Sequence, residues 1–400
     1  MQLGWIDFSE KDRKKAIDVI HLLEEKGTRD EIGIGIIRDA FSNMFFPGTS
    51  TVQTRAKYFY IIPYIIKECC ENKKNKTIDD IKRMIDVKEK EYAISLKENG
   101  ITDGVIGADV IPDKWVVRKP YSIYWNGIKT FGIFTRENMS LNEYIHYMLR
   151  HRNEEKISNW TEEGEENEQD DKMAGKTGLK PFWNLPEDYY VGKNNSTQIE
   201  LSKNESNHLR KCITSLDKED CLLKYIVENN IQLKQYTITD EPFRLLYTEL
   251  IKRDDLSPQI KNYMQIALKF DSLVYLSMIL YNKILSDDKN EVANNEWELY
   301  YKQRLPEIDS LDLDEMFYLT NVKDIGTKKF LSSMQSFLIS GDISNAKKTV
   351  YDREIKLKGK ERSKLANRTS ITNDKWIGIK HLDFRMRVTG RLINDLYNAE

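Results

Sequence analysis

The chain has 400 residues, 40% of them apolar and 32% charged, with a formal net charge of -2. That apolar content supports a sizeable core and excludes the intrinsically disordered class. The near balance of charge excludes a molecule that grips polyanions over its whole surface, so any nucleic-acid contact has to come from local basic patches.

Cys69, Cys70, Cys212 and Cys221 show no CxxC spacing, and an adjacent pair closes a bridge only with strain. A disulfide framework and a zinc site are therefore set aside, and reduced thiols in a cytoplasmic protein are expected. The start MQLGWIDFSEKDRKK turns polar at once, and the longest apolar run, YFYIIPYII, is about half of a bilayer span, so no export and no membrane partner are expected.

In chain order, Ser9 with Asp12 resembles a capping box, and the stripe Ala16, Val19, Leu22 and Leu23 predicts a helix from Glu10 to Lys26, stopped by Gly27. DEIGIGIIRDAFSNMFFPG reads as a short helix closed by the Pro47-Gly48 turn. A third helix is expected from Ser50 or Thr51 onward, kinked at Pro63. Thr77 to Asn99 predicts an amphipathic helix ended by Gly100. Residues 101–136 form an irregular or β-containing insert with one short helix near IYWNGIKTF, where Trp125 is expected to be mostly buried. Ser140 with Glu143 is a capping box opening the next helix.

From Glu154 to Asp171 the chain carries nine carboxylates against one lysine, which marks 154–180 as an acidic linker or loop. It divides an N-terminal helical region, 1–153, from a C-terminal one, 181–400. The latter contains the long SPQIKNYMQIALKFDSLVYLSMILYNKILSD, apolar on nearly all sides and so a central buried helix. The fold class is mainly α and multi-helical.

Few motifs carry chemistry. Gly33-Ile34-Gly35 lacks a leading strand and a third glycine, so it does not specify dinucleotide binding. The five histidines form no HxxxH or HExxH pair, Pro112-Asp113 has no acid-x-Lys partner, and no GxSxG or Walker loop occurs. No metal and no cofactor are expected.

FPGTSTVQTRAKYFY is the strongest binding candidate. A turn, hydroxyl caps, and Gln53, Thr54, Arg55 and Lys57 in the first turns of a helix match the chemistry of a helix-turn-helix recognition element meeting a phosphate backbone. The alternative is a capped core helix in which Arg55 pairs with Asp39 or Glu31. Geometry at 3.6 residues per turn predicts an exposed Lys57 and a partly buried Arg55. RKPYSIYWNGIKTFGIFTR interleaves bases and aromatics, which suits either stacking on single strands or core packing. Between Lys347 and Arg391, fourteen Lys or Arg face five Asp or Glu, a net of +9. Lys356, Lys358, Lys360, Arg362, Lys364 and Arg368 form its densest part, a second candidate for nucleic-acid contact.

Five stretches carry a resemblance: LGWIDFS, DEIGIGIIRDAFSNMFFPGTSTVQTRAKYF, RKPYSIYWNGIKTFGI, ALKFDSLVYLSMILYN, and DREIKLKGKERSKLANR with LDFR. Together they resemble an uncharacterised bacterial family of about this length, a domain of unknown function, with an FPGTST-x-QTRA-[KR]-YF signature. No reaction is established for that family. The resemblance implies a setting near helicase, nuclease and methyltransferase genes of antiphage defence. The expectation is a non-enzymatic nucleic-acid-binding or scaffolding component of such a system, with DNA foremost as partner beside other defence proteins. Two alternatives stay open: a nuclease whose carboxylates converge beside a lysine only in the fold, and a protein-protein adaptor whose basic tail docks an acidic partner.

Overall fold

The computed structural model describes residues 30–151, 181–186, 198–367 and 375–399. The helix expected over Glu10 to Lys26 and the acidic stretch 154–180 lie outside the described residues. Among the described residues fifteen helices are found, and the only ladder contact is an isolated antiparallel bridge between Phe134 and Trp183. The chain is thus mainly α.

Two compact units divide the described chain, and they do not follow the sequence boundaries at 153 and 180. The first unit takes in the residues up to Phe45 together with Tyr236–Phe384; the second takes in Phe46–Gln235 and the residues from Arg385 onward. Each is therefore discontinuous in sequence.

In the first unit, α1 (Gly35–Phe45) is opened by Asp30, whose carboxylate accepts from the backbone N–H of Gly33 and of Gly35. The other helices of this unit are α9 (Pro242–Leu250), α10 (Pro258–Leu285), α11 (Glu291–Asp309), α12 (Leu313–Leu319), α13 (Ile325–Ser340) and α14 (Ile343–Lys358). The 28-residue α10 is apolar on nearly all sides because α9, α11, α13 and α14 pack around it. By length and composition it could cross a bilayer, but 83% of its apolar window is buried within the fold. Phe41 and Phe45 of α1 join Phe243, Phe270 and Phe384 in an aromatic cluster with ring centroids 4.8–6.1 Å apart.

The second unit contains α2 (Tyr58–Glu71), α3 (Ile78–Glu98), α4 (Pro120–Thr130), α5 (Leu141–His151), α6 (Lys203–Thr214), α7 (Leu222–Glu228) and α15 (Met386–Tyr397). A short helix, α8 (Lys234–Thr237), spans the sequence boundary between Gln235 and Tyr236 at which the chain passes from the second unit to the first. Helix α2 buries ten of its fourteen side chains, which is why YFYIIPYII is continuous rather than amphipathic. It is packed by α3, α4 and α5. The capping boxes at Thr77 with Asp80, Ser140 with Glu143, and Ser202 with Glu205 start α3, α5 and α6.

Within the 101–136 insert, Tyr124 is fully buried against Tyr58 and Phe59, while Trp125 is part-buried against Phe134 and Trp183. These aromatic side chains are packing elements. Glu89 of α3 is buried here as well. One of its oxygens accepts from the Tyr121 N–H at the start of α4 (2.6 Å), the other has no partner, and burial holds its carboxyl well above the usual range.

Candidate functional site

The loop from Phe46 to Lys57 is built by side chains that bond to backbone. Thr49 Oγ1 donates to the Phe46 carbonyl (2.6 Å), Gln53 Oε1 accepts from Ser50 N–H (3.1 Å), and Gln53 Nε2 donates to the Gly48 carbonyl (3.1 Å). Such bonds compete with helix formation, so α2 begins at Tyr58 and not at Ser50 or Thr51. Gly48 sits at φ +77°, and its carbonyl oxygen would lie 2.4 Å from a Cβ on Gly127, so only a glycine at 127 lets α4 approach the loop.

The predicted phosphate-gripping groups of this loop all turn inward. Thr54 Oγ1 donates to the Gly104 carbonyl (2.6 Å), and the Tyr124 hydroxyl lies 2.8 Å from Thr54 N and 3.1 Å from Arg55 N. Arg55 Nε lies 3.0 Å from both carboxylate oxygens of Asp395 on α15, and Asp395 also accepts from Ala56 N–H (2.9 Å). Burial pushes the Asp395 carboxyl up, against the pull of Arg55 downward. Asp39 instead pairs with Arg38 (3.2 Å), so it is not the partner of Arg55.

Lys57 corrects the expectation most sharply. It is 1% exposed, and its ammonium donates to both oxygens of Glu205 at 2.9 and 2.7 Å. Gln53 is likewise buried, at 4%. Gln53, Thr54, Arg55 and Lys57 therefore do not form a surface patch. The non-helical start of the loop rotates Lys57 off the face that an uninterrupted helix from Ser50 would have given it, and a carboxylate 148 residues away receives it.

The basic tail of the first unit divides in two. Lys358 pairs with Glu31 and with Glu354 (2.9 Å), and Lys364 pairs with Glu31 (2.8 Å). Glu354 is fully buried and also accepts from Tyr281, Ser363 and the Leu365 N–H. Arg353, part of the same helix, donates to the carbonyls of Ile32 and Gly33 and to Thr327. These cations hold α14 and the following turn to the segment before α1. By contrast Lys356, Lys360 and Arg362 are exposed and make no ion pair among the described residues. Arg368 lies outside the described residues.

Lys356 Nζ lies 3.4 Å from where a Cβ on Gly326 would stand, which brings the end of α14 beside the start of α13. Exposed Lys323 and Lys329 flank that start, as do Ile325, 80% exposed, and Tyr318, 85% exposed. The exposed carboxylates here are Glu361, in the same turn as Lys360 and Arg362, and Asp324, which caps α13 and whose Oδ2 lies 3.3 Å from the same Cβ position on Gly326. The outcome is a cationic corner with apolar side chains in it.

A third constellation was not legible from spacing. Glu241 before α9, Asp271 on α10 and His381 offer ligand atoms within 4.8 Å of one another. His381 Nδ1 lies 3.2 Å from Asp271, whose other oxygen accepts from Leu382 N–H (2.7 Å). Around them stand Glu296 with Lys380 (2.8 Å) and Glu307 with Arg244 (2.7 Å). This is the convergence of acids beside a lysine that a nuclease would need, but its chemistry differs. Both Glu241 oxygens lie within 2.7 Å of Arg304 Nη2, and one lies 2.6 Å from Arg244 Nε. A divalent cation would have to displace two guanidinium groups that repel it. The donors fit a charge-compensated hub that ties α9, α10 and α11 together, and they do not fit a metal centre.

Residues 1–167 match a family of unknown function (DUF6361). No curated protein and no solved structure matches the chain.

Proposed function

We propose that the protein is a non-enzymatic nucleic-acid-binding component of a bacterial antiphage defence system, the setting that the FPGTSTVQTRAKYF resemblance implies. It would hold a phosphate backbone on the cationic corner of the first unit. The observation that carries this reading is that Lys356, Lys360 and Arg362 remain exposed while Lys358 and Lys364, interleaved with them, are held by Glu31. Backbone contacts of this kind position without reading sequence, so DNA is expected to bind with little sequence preference and with strong salt dependence.

The test is the triple reversal Lys356→Glu, Lys360→Glu and Arg362→Glu, assayed on single- and double-stranded DNA and on RNA across a salt series. Affinity should fall, and the slope of log K against log salt should flatten by about 0.9 per lost duplex contact or about 0.7 per lost single-strand contact. An affinity unchanged for all three would sink the reading. It would leave the adaptor alternative ahead, which Tyr318 and Ile325 favour because apolar side chains so exposed beside cations suit an acidic, partly apolar protein partner.

A further inference from the structure

The second unit holds a cleft of about 640 Å³ between the C-terminal ends of α4 and α6 and the segment around Asn184. This volume lies within the range of sites that enclose a small organic ligand. At one wall the His208 ring is fixed in plane. Its Nδ1 stands 3.0 Å from the Tyr60 hydroxyl, and its Nε2 stands 3.3 Å from Asn184 Oδ1. Asn184 Nδ2 donates to Cys212 Sγ (3.8 Å).

Cysteine, histidine and asparagine in one cleft raise the question of covalent catalysis, and the geometry answers against it. Cys212 Sγ is nearly equidistant from the two ring nitrogens, 3.7 and 3.9 Å, so it is not aligned with a lone pair that could take its proton. Burial also pushes the thiol up to about 12, far from a thiolate at neutral pH. Cys212 is therefore not placed as an activated nucleophile.

The charge of the cleft indicates what it binds. Lys129 Nζ donates to the main-chain carbonyl of Glu137 (2.9 Å) and not to a carboxylate. Lys211 makes no ion pair among the described residues, and Lys218 completes a rim of three ammonium groups. Glu137 and Asp217, both exposed, are the opposing carboxylates. Part of the lysine charge offsets the partial negative charge at the ends of the two helices, and the Glu143 carboxylate lies within electrostatic reach of Lys129, yet neither Lys129 nor Lys211 forms an ion pair among the described residues. Inside that rim the Asn126 amide lines the cleft beside the His208–Asn184 pair, whose polar atoms bond to each other and to Tyr60 and Cys212.

From this arrangement we propose that the cleft binds a small phosphate-bearing molecule, a nucleoside phosphate, with Lys129 and Lys211 on the phosphates and the Asn126 amide on the nucleoside. The proposal does not depend on the nucleic-acid reading, which concerns the other unit. The probes are ATP, inorganic pyrophosphate and adenosine, titrated against the full chain by calorimetry and by melting midpoint. ATP is expected to bind saturably and raise the midpoint, and adenosine alone to bind at least about tenfold more weakly. Lys129→Glu with Lys211→Glu should lower ATP affinity by about tenfold or more, while the Lys356, Lys360 and Arg362 reversal should leave it unchanged. Should the double variant fail to fold, Lys211→Ala at its exposed position is expected to show a weaker loss. Absence of saturable binding by both ATP and pyrophosphate, or equal ATP affinity in wild type and the Lys129 and Lys211 variants, would overturn the proposal.

Discussion

The loop from Phe46 to Lys57 and the tail from Lys356 to Lys364 look alike as sequences: each has a turn glycine and a local run of cations. Folding treats them oppositely. In the loop, Arg55 and Lys57 meet Asp395 and Glu205 and leave the surface. In the tail, Glu31 takes Lys358 and Lys364, and the alternate residues Lys356, Lys360 and Arg362 are left outward. A basic cluster thus announces a ligand only after the acids that the fold brings to it have been subtracted.

The comparison can be broken most severely at Lys57. Lys57→Met leaves the Glu205 carboxylate buried and unpaired, so the unfolding free energy should fall by about 3–5 kcal/mol. Adding Glu205→Leu should recover part of that loss, since an apolar pair of similar size removes the stranded charge while the capping bond from Ser202 N–H to Glu205 is given up. Urea denaturation of both variants measures this, and a double variant no better than the single would show that the pair holds the fold in some other way.

Arg55→Ala should cost about 2–4 kcal/mol by stranding Asp395, with no change in affinity for nucleic acid. If stability holds and binding drops, the loop is a contact surface after all and the contrast with the tail collapses.

Glu89 sharpens the comparison, being a buried acid without an ion pair among the described residues, the nearby Lys119 being paired with Asp86. Its folded-state carboxyl lies well above the ordinary value because of burial, so the folded state binds more protons than the unfolded state between the two values. Stability is therefore present below the unfolded value and is lost as pH rises through the folded one. Glu89→Gln should stabilise the protein at neutral pH and flatten that decline, as read from melting midpoints across a pH series. A wild-type midpoint that climbs with pH over the same window, and a variant that follows it, would contradict the assignment.

The smallest effect is expected in the tail. The Lys356, Lys360 and Arg362 reversal should change the unfolding free energy by no more than about 0.5 kcal/mol, because all three are exposed and none makes an ion pair among the described residues. A large loss would mean that these side chains are structural too.

Local signals in the sequence were sufficient wherever one helix decides its own fate. The amphipathic stripe from Thr77 to Asn99 with its stop at Gly100, the box at Ser140 and the apolar length of Pro258–Leu285 all place elements within a residue or two. They failed at Ser50, where hydroxyl and amide side chains bond to backbone that a helix would otherwise have used. They were silent on every deciding partner. Glu205 lies 148 residues from Lys57, Asp271 lies 110 from His381, and Lys358 lies 327 from Glu31, and no periodicity in one chain encodes such distances.

Synthesis order gives the Arg55–Asp395 pair a further meaning. The two residues are 340 positions apart. At about 5–20 residues per second, roughly 17–70 seconds separate their emergence from the ribosome. For that interval the FPGTST loop has its arginine and the Ala56 amide without their carboxylate, so the second unit cannot close while its own middle is already complete. Lys57 and Arg55 can already meet Glu205 and Glu200 by then, and the last bonds of the loop wait for the arrival of α15.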